Sequence, residues 1–171
     1  MWRKCLFKKI EAATERFIGD INFPDKWNIG VIVGGSGTGK STHTQLWLKH
    51  IEGTDLMNDD NPVVRFINGE TIIYGSPWSG KHGLANNVCV PLKGICLLHR
   101  GTENVIRQAE KQDLTEMLCK QVHLPENEIL ATKVLALVDT LAERVPLWEM
   151  ACNKELEAAK IAYAAMNWQG K

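Results

Sequence analysis

A chain of 171 residues has the length of one domain with a single core, and 44% hydrophobic with 23% charged residues is an ordinary soluble composition. The 20 acidic residues balance the 20 basic ones, which argues against binding to nucleic acid or a membrane through bulk charge. We expect neither as a partner. The sequence predicts one domain, with an N-terminal helix within 1–20, a β-rich core over 25–101 and a mostly helical part over 102–171.

The N-terminus is basic up to Lys9, but acidic residues follow from Glu11, and no apolar stretch reaches the length of a signal peptide or a membrane span. The sequence therefore predicts a cytoplasmic protein. Across 2–19 the apolar residues recur at helical spacing. This predicts an amphipathic helix that packs on the core, with a membrane-surface helix as the alternative.

Residues 34–41 read Gly-Gly-Ser-Gly-Thr-Gly-Lys-Ser, a complete Gly-x-x-x-x-Gly-Lys-Ser pattern. An apolar β-branched run over 28–33 precedes it and a helix-compatible segment follows, which is the strand–loop–helix context of a phosphate-binding loop (P-loop). Glycines let the backbone turn its N–H groups inward, next to the positive end of the helix. Lys40 would reach the β- and γ-phosphates, and the Ser41 hydroxyl would ligate the Mg²⁺ that bridges them.

The sequence thus predicts a nucleoside triphosphate site, with ATP and Mg²⁺ as cofactors. The predicted nucleotide-binding residues are Gly35, Ser36, Gly37, Thr38, Gly39, Lys40, Ser41 and Thr42. The helix that follows is predicted to be lined by Leu46, Leu48 and Ile51 and to end near Gly53.

A short strand is predicted over 54–57, and the acidic pair Asp59-Asp60 stands at its end. In a phosphate-loop fold this strand end lies beside the loop. One carboxylate can then join Ser41 on Mg²⁺ while the other acts as general base on a hydroxyl. The alternative is a solvated polar turn.

Two β-rich runs over 62–67 and 70–74 flank Asn68-Gly69, which predicts a β-hairpin. The segment 75–83 follows and is dense in Gly, Ser and Pro. Such a segment is either a long connection or a binding loop.

Within this segment, Lys81 is a candidate catalytic residue because its charge could neutralise the phosphoryl group during transfer. Trp78 offers a flat apolar surface to an acceptor, or alternatively anchors the loop to the core. The next strand is predicted over 94–99. Arg100 at its end could meet phosphate, with a surface ion pair as the alternative.

The rest of the chain is mostly helical by pattern. Asp113 is predicted to cap a helix, with Glu116 completing a capping box. A second helix is predicted over 126–144, a short strand over 145–148, and a last helix capped by Asn153. Strands and helices interleave while a hairpin interrupts the series, which predicts an α/β fold with a mixed central sheet flanked by helices.

The five cysteines are an odd number and contain no Cys-x-x-Cys pair or zinc-ligand spacing. We predict buried thiols in a reducing compartment, with a metal or redox role as the alternative. The cysteines are Cys5, Cys89, Cys96, Cys119 and Cys152.

An ordered set of segments carries a resemblance to a known family. The segments are Gly-Gly-Ser-Gly-Thr-Gly-Lys-Ser-Thr at 34–42, Asp-Leu-Met-Asn-Asp-Asp at 55–60, Gly-Ser-Pro-Trp-Ser-Gly-Lys at 75–81, Val-Pro-Leu-Lys-Gly-Ile at 90–95 and His-Arg-Gly at 99–101. Together they resemble the superfamily of HPr kinase/phosphorylase and ATP-type phosphoenolpyruvate carboxykinase, most of all its small stand-alone HPr-kinase-related members.

The resemblance implies a P-loop fold on a mixed central sheet, assembly into a homo-oligomer, and phosphoryl transfer between a nucleotide and a hydroxyl or enol oxygen. Carried over by motif, Lys40 would bind the phosphates, Ser41 and Asp60 would serve the metal, and Asp59 would take the proton of the acceptor hydroxyl. HPr kinases carry a Leu-Glu-Ile-Arg-Gly segment where this chain has the loop around Trp78. Recognition of HPr therefore does not carry over, and we expect neither sugar-phosphate control nor decarboxylation of oxaloacetate.

The leading functional hypothesis is an ATP-dependent kinase that acts on a hydroxyl of a protein or peptide Ser or of a small metabolite. The alternative is a regulatory or assembly module that holds ATP without transferring its phosphate, or hydrolyses it slowly. The missing Glu-containing segment favours the module, whereas the Asp59-Asp60 pair favours the kinase.

Overall fold

The computed structural model describes residues 29–33, 37–78, 83, 86–122 and 124–166. The strands are β1 (Ile29–Val33), β2 (Val63–Ile67), β3 (Glu70–Tyr74), β4 (Cys89–Arg100), β5 (Val105–Gln108) and β6 (Leu147–Cys152). The helices are α1 (Lys40–His50), α2 (Lys111–Gln121), α3 (Glu128–Arg144) and α4 (Leu156–Met166). The helix predicted over 2–19 lies outside the described residues.

The fold is α/β with a mixed sheet, as the interleaved pattern predicts. Tertiary contacts divide the chain into two compact units. The hairpin unit contains the described residues of 55–91, and the glycine-loop unit contains those of 28–54 and 92–171. Strand β4 begins in the hairpin unit and continues in the glycine-loop unit.

In the hairpin unit, β2 and β3 pair antiparallel from Val63 opposite Tyr74 to Ile67 opposite Glu70. The turn residues Asn68 and Gly69 have φ of 50° and 86°. Positive φ at both central positions matches the right-handed twist of a two-residue hairpin, so the predicted Asn-Gly hairpin is confirmed. Strand β3 also pairs antiparallel with residues 89–91 of β4.

In the glycine-loop unit, β4 is paired on both edges with parallel strands, β1 and β6, and β5 adds to β6 antiparallel. The carboxyl ends of β1, β4 and β6 therefore meet at one edge of the sheet. The pattern over 102–110 did not predict β5, because this short edge strand buries little: Val105 is exposed and Ile106 is half-buried.

One apolar cluster holds α1 and α4 against the strands β4 and β6. Alternate residues of β4 and β6 meet small residues of α4, which lets the helix approach closely. The cluster consists of Cys96, Leu98, Met150, Cys152, Ala158, Ala162 and Met166, with Trp47 of α1 packed against it. Helices α2 and α3 pack against each other, and α3 buries Val138, Leu141 and Ala142.

Several predicted elements are present with shifted boundaries. The strand predicted over 94–99 belongs to the longer β4, and the helix predicted over 126–144 is α3, whose Asn127 cap accepts a hydrogen bond from the Leu130 N–H. The strand predicted over 145–148 is β6, which starts later and runs to Cys152.

Three local predictions are wrong. Asp113 lies in the first turn of α2, since Glu110 occupies the cap position. Asn153 lies ahead of α4, and its side-chain oxygen accepts from the Glu155 N–H in a turn that precedes the helix. No strand forms over 54–57, because the Leu56 and Met57 carbonyls accept from the N–H groups of a single residue, Asn86, and the Thr54 and Leu56 N–H groups bond locally, to Ile51 and Asp55.

Three of the four described cysteines match the predicted burial. Cys89, Cys96 and Cys152 are buried, Cys119 is half-buried, and all four are free thiols. Burial raises the pKa of the Cys96 thiol to about 12, so this thiol stays protonated at neutral pH. Among the described residues, no helix combines the length and apolarity needed to span a membrane.

Candidate functional site

The predicted phosphate loop enters α1 through two glycines in left-handed conformations. Gly37 has φ of 79° and Gly39 has φ of 104°, values that disfavour any residue with a Cβ. Gly39 is the N-cap residue of α1 and, having no side chain, makes no side-chain cap hydrogen bond to the first N–H groups of the helix. These groups and the helix dipole leave a positive end available to an anion.

Of the predicted nucleotide-binding residues, Lys40, Thr38 and Gly39 are half-buried, whereas Gly37, Ser41 and Thr42 are exposed. The Lys40 carbonyl accepts a hydrogen bond from the Thr44 hydroxyl at 2.9 Å, within the first turns of α1. Gly35 and Ser36 lie outside the described residues. The junction between β1 and α1 thus has the strand–loop–helix order that the sequence predicts.

A buried histidine stands three residues after Lys40. His43 is only 2% exposed, and its Nε2 accepts a hydrogen bond from the Trp47 indole N–H at 3.1 Å. Because indole nitrogen only donates, the proton of the neutral imidazole resides on Nδ1. That nitrogen lies 3.9 Å from the Cys152 Sγ, the last residue of β6. Burial lowers the pKa of His43 to about 4, so the ring is neutral at pH 7.

Hydrogen bonds to backbone N–H groups connect the carboxyl ends of β4 and β6. The Gly101 N–H donates to the Cys152 carbonyl at 2.9 Å, and a Cβ on Gly101 would stand 3.1 Å from the Ala151 Cβ. The Asn153 N–H donates to the Asn104 side-chain oxygen at 3.0 Å. His43 therefore joins the start of α1 to a strand end that is itself fixed.

Arg100, the last residue of β4, is exposed and lies close to the glycine loop. Its Nη2 is 3.8 Å from the point where a Cβ on Gly37 would stand. On β4 the preceding residue, His99, donates from Nε2 to the Glu149 carboxylate at 2.9 Å, and Arg107 of β5 pairs with the same carboxylate. The glycine-loop unit thus places Arg100 beside the loop, with His99 and Arg107 sharing one acid.

In the hairpin unit, the acidic turn and the loop that follows β3 are bound together by Asn58. The Asn58 side-chain amide donates to the Ser76 and Trp78 carbonyls at 3.1 Å and 3.0 Å. Its side-chain oxygen accepts from the Asp60 N–H at 2.9 Å. Ser76 is 1% exposed, so its hydroxyl is enclosed by this network. One side chain therefore fixes both the Asp59-Asp60 turn and the start of the loop.

The two candidate acids differ in environment. Asp59 is half-buried, whereas Asp60 is exposed and accepts a hydrogen bond from the Asn61 amide at 2.7 Å. Both share the hairpin unit with Trp78, while Lys40, Ser41 and Arg100 belong to the glycine-loop unit. The approach of an acid to Ser41 stays a prediction, and Lys81 lies outside the described residues.

Sequence reasoning did not single out His43 or Asn58. The signal for His43 was that Trp47 follows it by four residues on the same helix. In an amphipathic pattern, however, a histidine counts as a polar position and is expected on the exposed face. Asn58 stands next to the acids, yet its partners are 18 and 20 residues away, and no local pattern indicates such a bond.

Within the described part of the chain, no group of three His, Cys, Asp or Glu residues is placed to hold a metal by protein ligands alone. A shallow depression of about 310 Å³ lies at the start of β6, lined in part by Gln108, Glu143 and Pro146, and contains none of the predicted site residues. The candidate site residues stay those of the glycine loop and the acidic turn.

Comparisons of the chain with protein-family models, with curated proteins and with solved structures find no match.

Proposed function

We propose that the chain is an ATP-dependent phosphotransferase, a small stand-alone kinase of the HPr kinase and phosphoenolpyruvate carboxykinase type. The junction of β1 and α1 carries the proposal. A complete Gly-x-x-x-x-Gly-Lys-Ser pattern connects a parallel strand to a helix that begins at Lys40. Gly37 and Gly39 have the backbone conformations that an inward-facing amide cradle uses.

The donor nucleotide would bind at the glycine-loop unit. The first N–H groups of α1, where the cap residue Gly39 has no side chain, would donate hydrogen bonds to phosphate oxygens, and Lys40 would add a point charge. Ser41 is exposed in the first turn, where its hydroxyl is accessible to a metal. Mg²⁺ is usually held by few protein groups together with substrate phosphates, so a hydroxyl and one carboxylate are a sufficient donor set. When bound, Mg²⁺ would neutralise phosphate charge; Ser41 and Asp60 are its proposed ligands.

The acceptor would bind at the hairpin unit. Asp59 would accept the proton of the acceptor hydroxyl, and the Asn58 network would keep the acidic turn in one conformation. Trp78, half-buried in the adjoining loop, provides an apolar surface for an acceptor group. We assign to Lys81 the neutralisation of charge on the transferred group. The acceptor class is a hydroxyl of a protein or peptide Ser or of a small metabolite.

In the proposed reaction the acceptor oxygen forms a bond to the γ-phosphorus while the bond to the β–γ bridging oxygen breaks. The hydroxyl proton passes to Asp59, and ADP leaves. Catalysis would come from positioning and electrostatics. A covalent cysteine intermediate is not part of the proposal, because burial raises the pKa values of the Cys96 and Cys152 thiols.

The test is transfer of label from γ-labelled ATP in the presence of Mg²⁺ and a mixture of Ser-containing peptides, proteins and small alcohols. We expect a labelled acceptor with the wild-type chain and none with Lys40→Ala. Asp59→Asn should keep ATP affinity and lose about 10²- to 10⁴-fold in transfer rate. Asp139→Asn is the matched control, since Asp139 is an exposed residue on α3.

Two outcomes would contradict the proposal. Label that appears only as free phosphate would identify a nucleotidase, and ATP binding without release of label would identify a nucleotide-holding module. Unchanged turnover in Asp59→Asn would remove the proposed base while leaving the donor site in place.

A further inference from the structure

Arg100 projects from the sheet on the side where α1 packs. Side chains alternate along a strand, and Leu98, two residues earlier, lies in the apolar cluster that includes Trp47 of α1. Arg100 is opposite Cys152 in the register of β4 and β6, and Cys152 belongs to the same cluster. Leu97 is the partner of the last β1 residue, Val33, so Arg100 stands three residues beyond the end of the β1 pairing.

The charge of Arg100 is not compensated by an acid in the described part of the chain. The ion pairs found there join Lys111 to Glu143, Lys120 to Glu116, and both His99 and Arg107 to Glu149. None of them includes Arg100. A surface ion pair, the alternative for this residue, therefore has no partner among the described carboxylates.

The position of Arg100 relative to the loop fits a phosphate ligand. Among the described loop residues, Gly37 lies beside the guanidinium and has no side chain to occupy the position 3.8 Å from the Arg100 Nη2. A guanidinium presents a planar fork of N–H donors that binds two phosphate oxygens at once. Loop amides hold the α- and β-phosphates, and Lys40 reaches the β- and γ-phosphates. The terminal phosphate is the group with oxygens left for a second cation.

We propose that Arg100 binds the terminal phosphate of the nucleotide and makes the site prefer a triphosphate to a diphosphate. The inference rests on the proposed function of the glycine loop. In transfer, the same guanidinium would stabilise the negative charge on the equatorial oxygens of the moving phosphoryl group.

The experiment compares the affinities of ADP and of the non-hydrolysable β,γ-imido analogue of ATP by isothermal titration calorimetry with Mg²⁺. Arg100→Ala should weaken the triphosphate analogue about 10- to 100-fold and change ADP affinity less than about threefold. Arg100→Lys should recover part of the triphosphate affinity, because it keeps the charge without the planar fork. Arg107→Ala is the matched control, an exposed arginine on the neighbouring edge strand, and should leave both affinities unchanged.

An equal loss for both nucleotides in Arg100→Ala would overturn the assignment to the terminal phosphate, and so would an unchanged triphosphate affinity. Thermal unfolding of each variant checks that the fold is retained, which is expected for an exposed side chain. Failure of the glycine loop as a nucleotide site is distinguishable, because the wild-type chain then binds neither nucleotide. Failure of phosphoryl transfer alone is seen in the labelling assay and leaves the comparison of the two affinities intact.

Discussion

In the glycine-loop unit, the side chain that supports the candidate phosphate residues is a buried imidazole, whereas the hairpin unit supports its acids with a half-buried amide. His43 is buried, accepts a hydrogen bond from Trp47 of the same helix, and joins α1 to β6 through a sulfur contact to Cys152. Asn58 instead bonds mainly to backbone groups of its own unit.

This difference separates two ways to hold a site. The stability that a buried neutral imidazole contributes depends on its protonation state, because placing a charge on the ring in an apolar environment is costly. An amide has no such dependence, but its bonds satisfy particular backbone carbonyls and are lost when the amide is lost. We therefore expect the stability of the glycine-loop unit to depend on pH. The stability of the hairpin unit should instead depend on keeping its hydrogen bonds and its backbone packing.

The largest expected effect is that of Gly75→Ala in the hairpin unit. A Cβ on Gly75 would stand 1.9 Å from the Asn86 carbonyl oxygen, which is a backbone atom. The backbone of Asn86 also bonds to Met57, so it cannot move without loss of that contact. We expect a loss of about 3 kcal/mol in the free energy of unfolding, measured by urea denaturation.

The second effect is a pH dependence that belongs to His43. Its pKa is lowered from 6.5 to about 4 by burial, so the unfolded chain binds more protons between these values. The stability from the neutral ring is complete above pH 6.5 and is lost as pH falls towards 4. Between pH 7 and pH 5 we expect a loss of about 2 kcal/mol in the free energy of unfolding.

The matched pair for this effect is His43→Gln and His50→Gln, two substitutions on α1. His50 is exposed, so its variant should keep the pH dependence of the wild type. His43→Gln should be less stable at pH 7 and lose most of the dependence between pH 7 and 5. A dependence that survives in His43→Gln would show that another group supplies it.

A smaller effect is expected from Asn58→Ala, which removes the donors to the Ser76 and Trp78 carbonyls. We expect about 1 to 2 kcal/mol of destabilisation, concentrated in the loop after β3. Faster hydrogen exchange at the Trp78 N–H would localise the effect. Asn61→Ala is the control, since the exposed Asn61 amide bonds only to Asp60 among the described residues.

The elements set by local chemistry could be predicted from the sequence. The Asn68-Gly69 turn fixes the hairpin because both residues favour positive φ, and the glycine loop predicts the β1–α1 junction for a similar reason. Strand β5 and the absence of a strand over 54–57 could not be predicted in this way. Both depend on pairing with distant segments: β6 in one case and Asn86 in the other.

For the candidate site, the sequence indicated which residues could bind phosphate and metal. It did not indicate which other side chains hold those residues in place. Lys40, Ser41 and the acids follow from a motif, since phosphate and metal binding require those groups at that spacing. The sequence predicted that Leu46, Leu48 and Ile51 line α1, whereas the buried residue of this helix is His43. A buried polar residue is identified only when its partners are known.

The smallest expected effect is the cost of backbone strain without a steric clash. It is tested at one glycine in each unit. Gly69 and Gly53 have φ of 86° and 74°, and a Cβ on either would meet nothing within 4 Å. Alanine should therefore cost about 1 kcal/mol at each position through backbone strain alone. Gly75, whose penalty is one of space, should cost more than either. Equal losses at all three, measured by urea denaturation, would mean that the contact between Gly75 and Asn86 relaxes and that the hairpin unit is less tightly held than its geometry indicates.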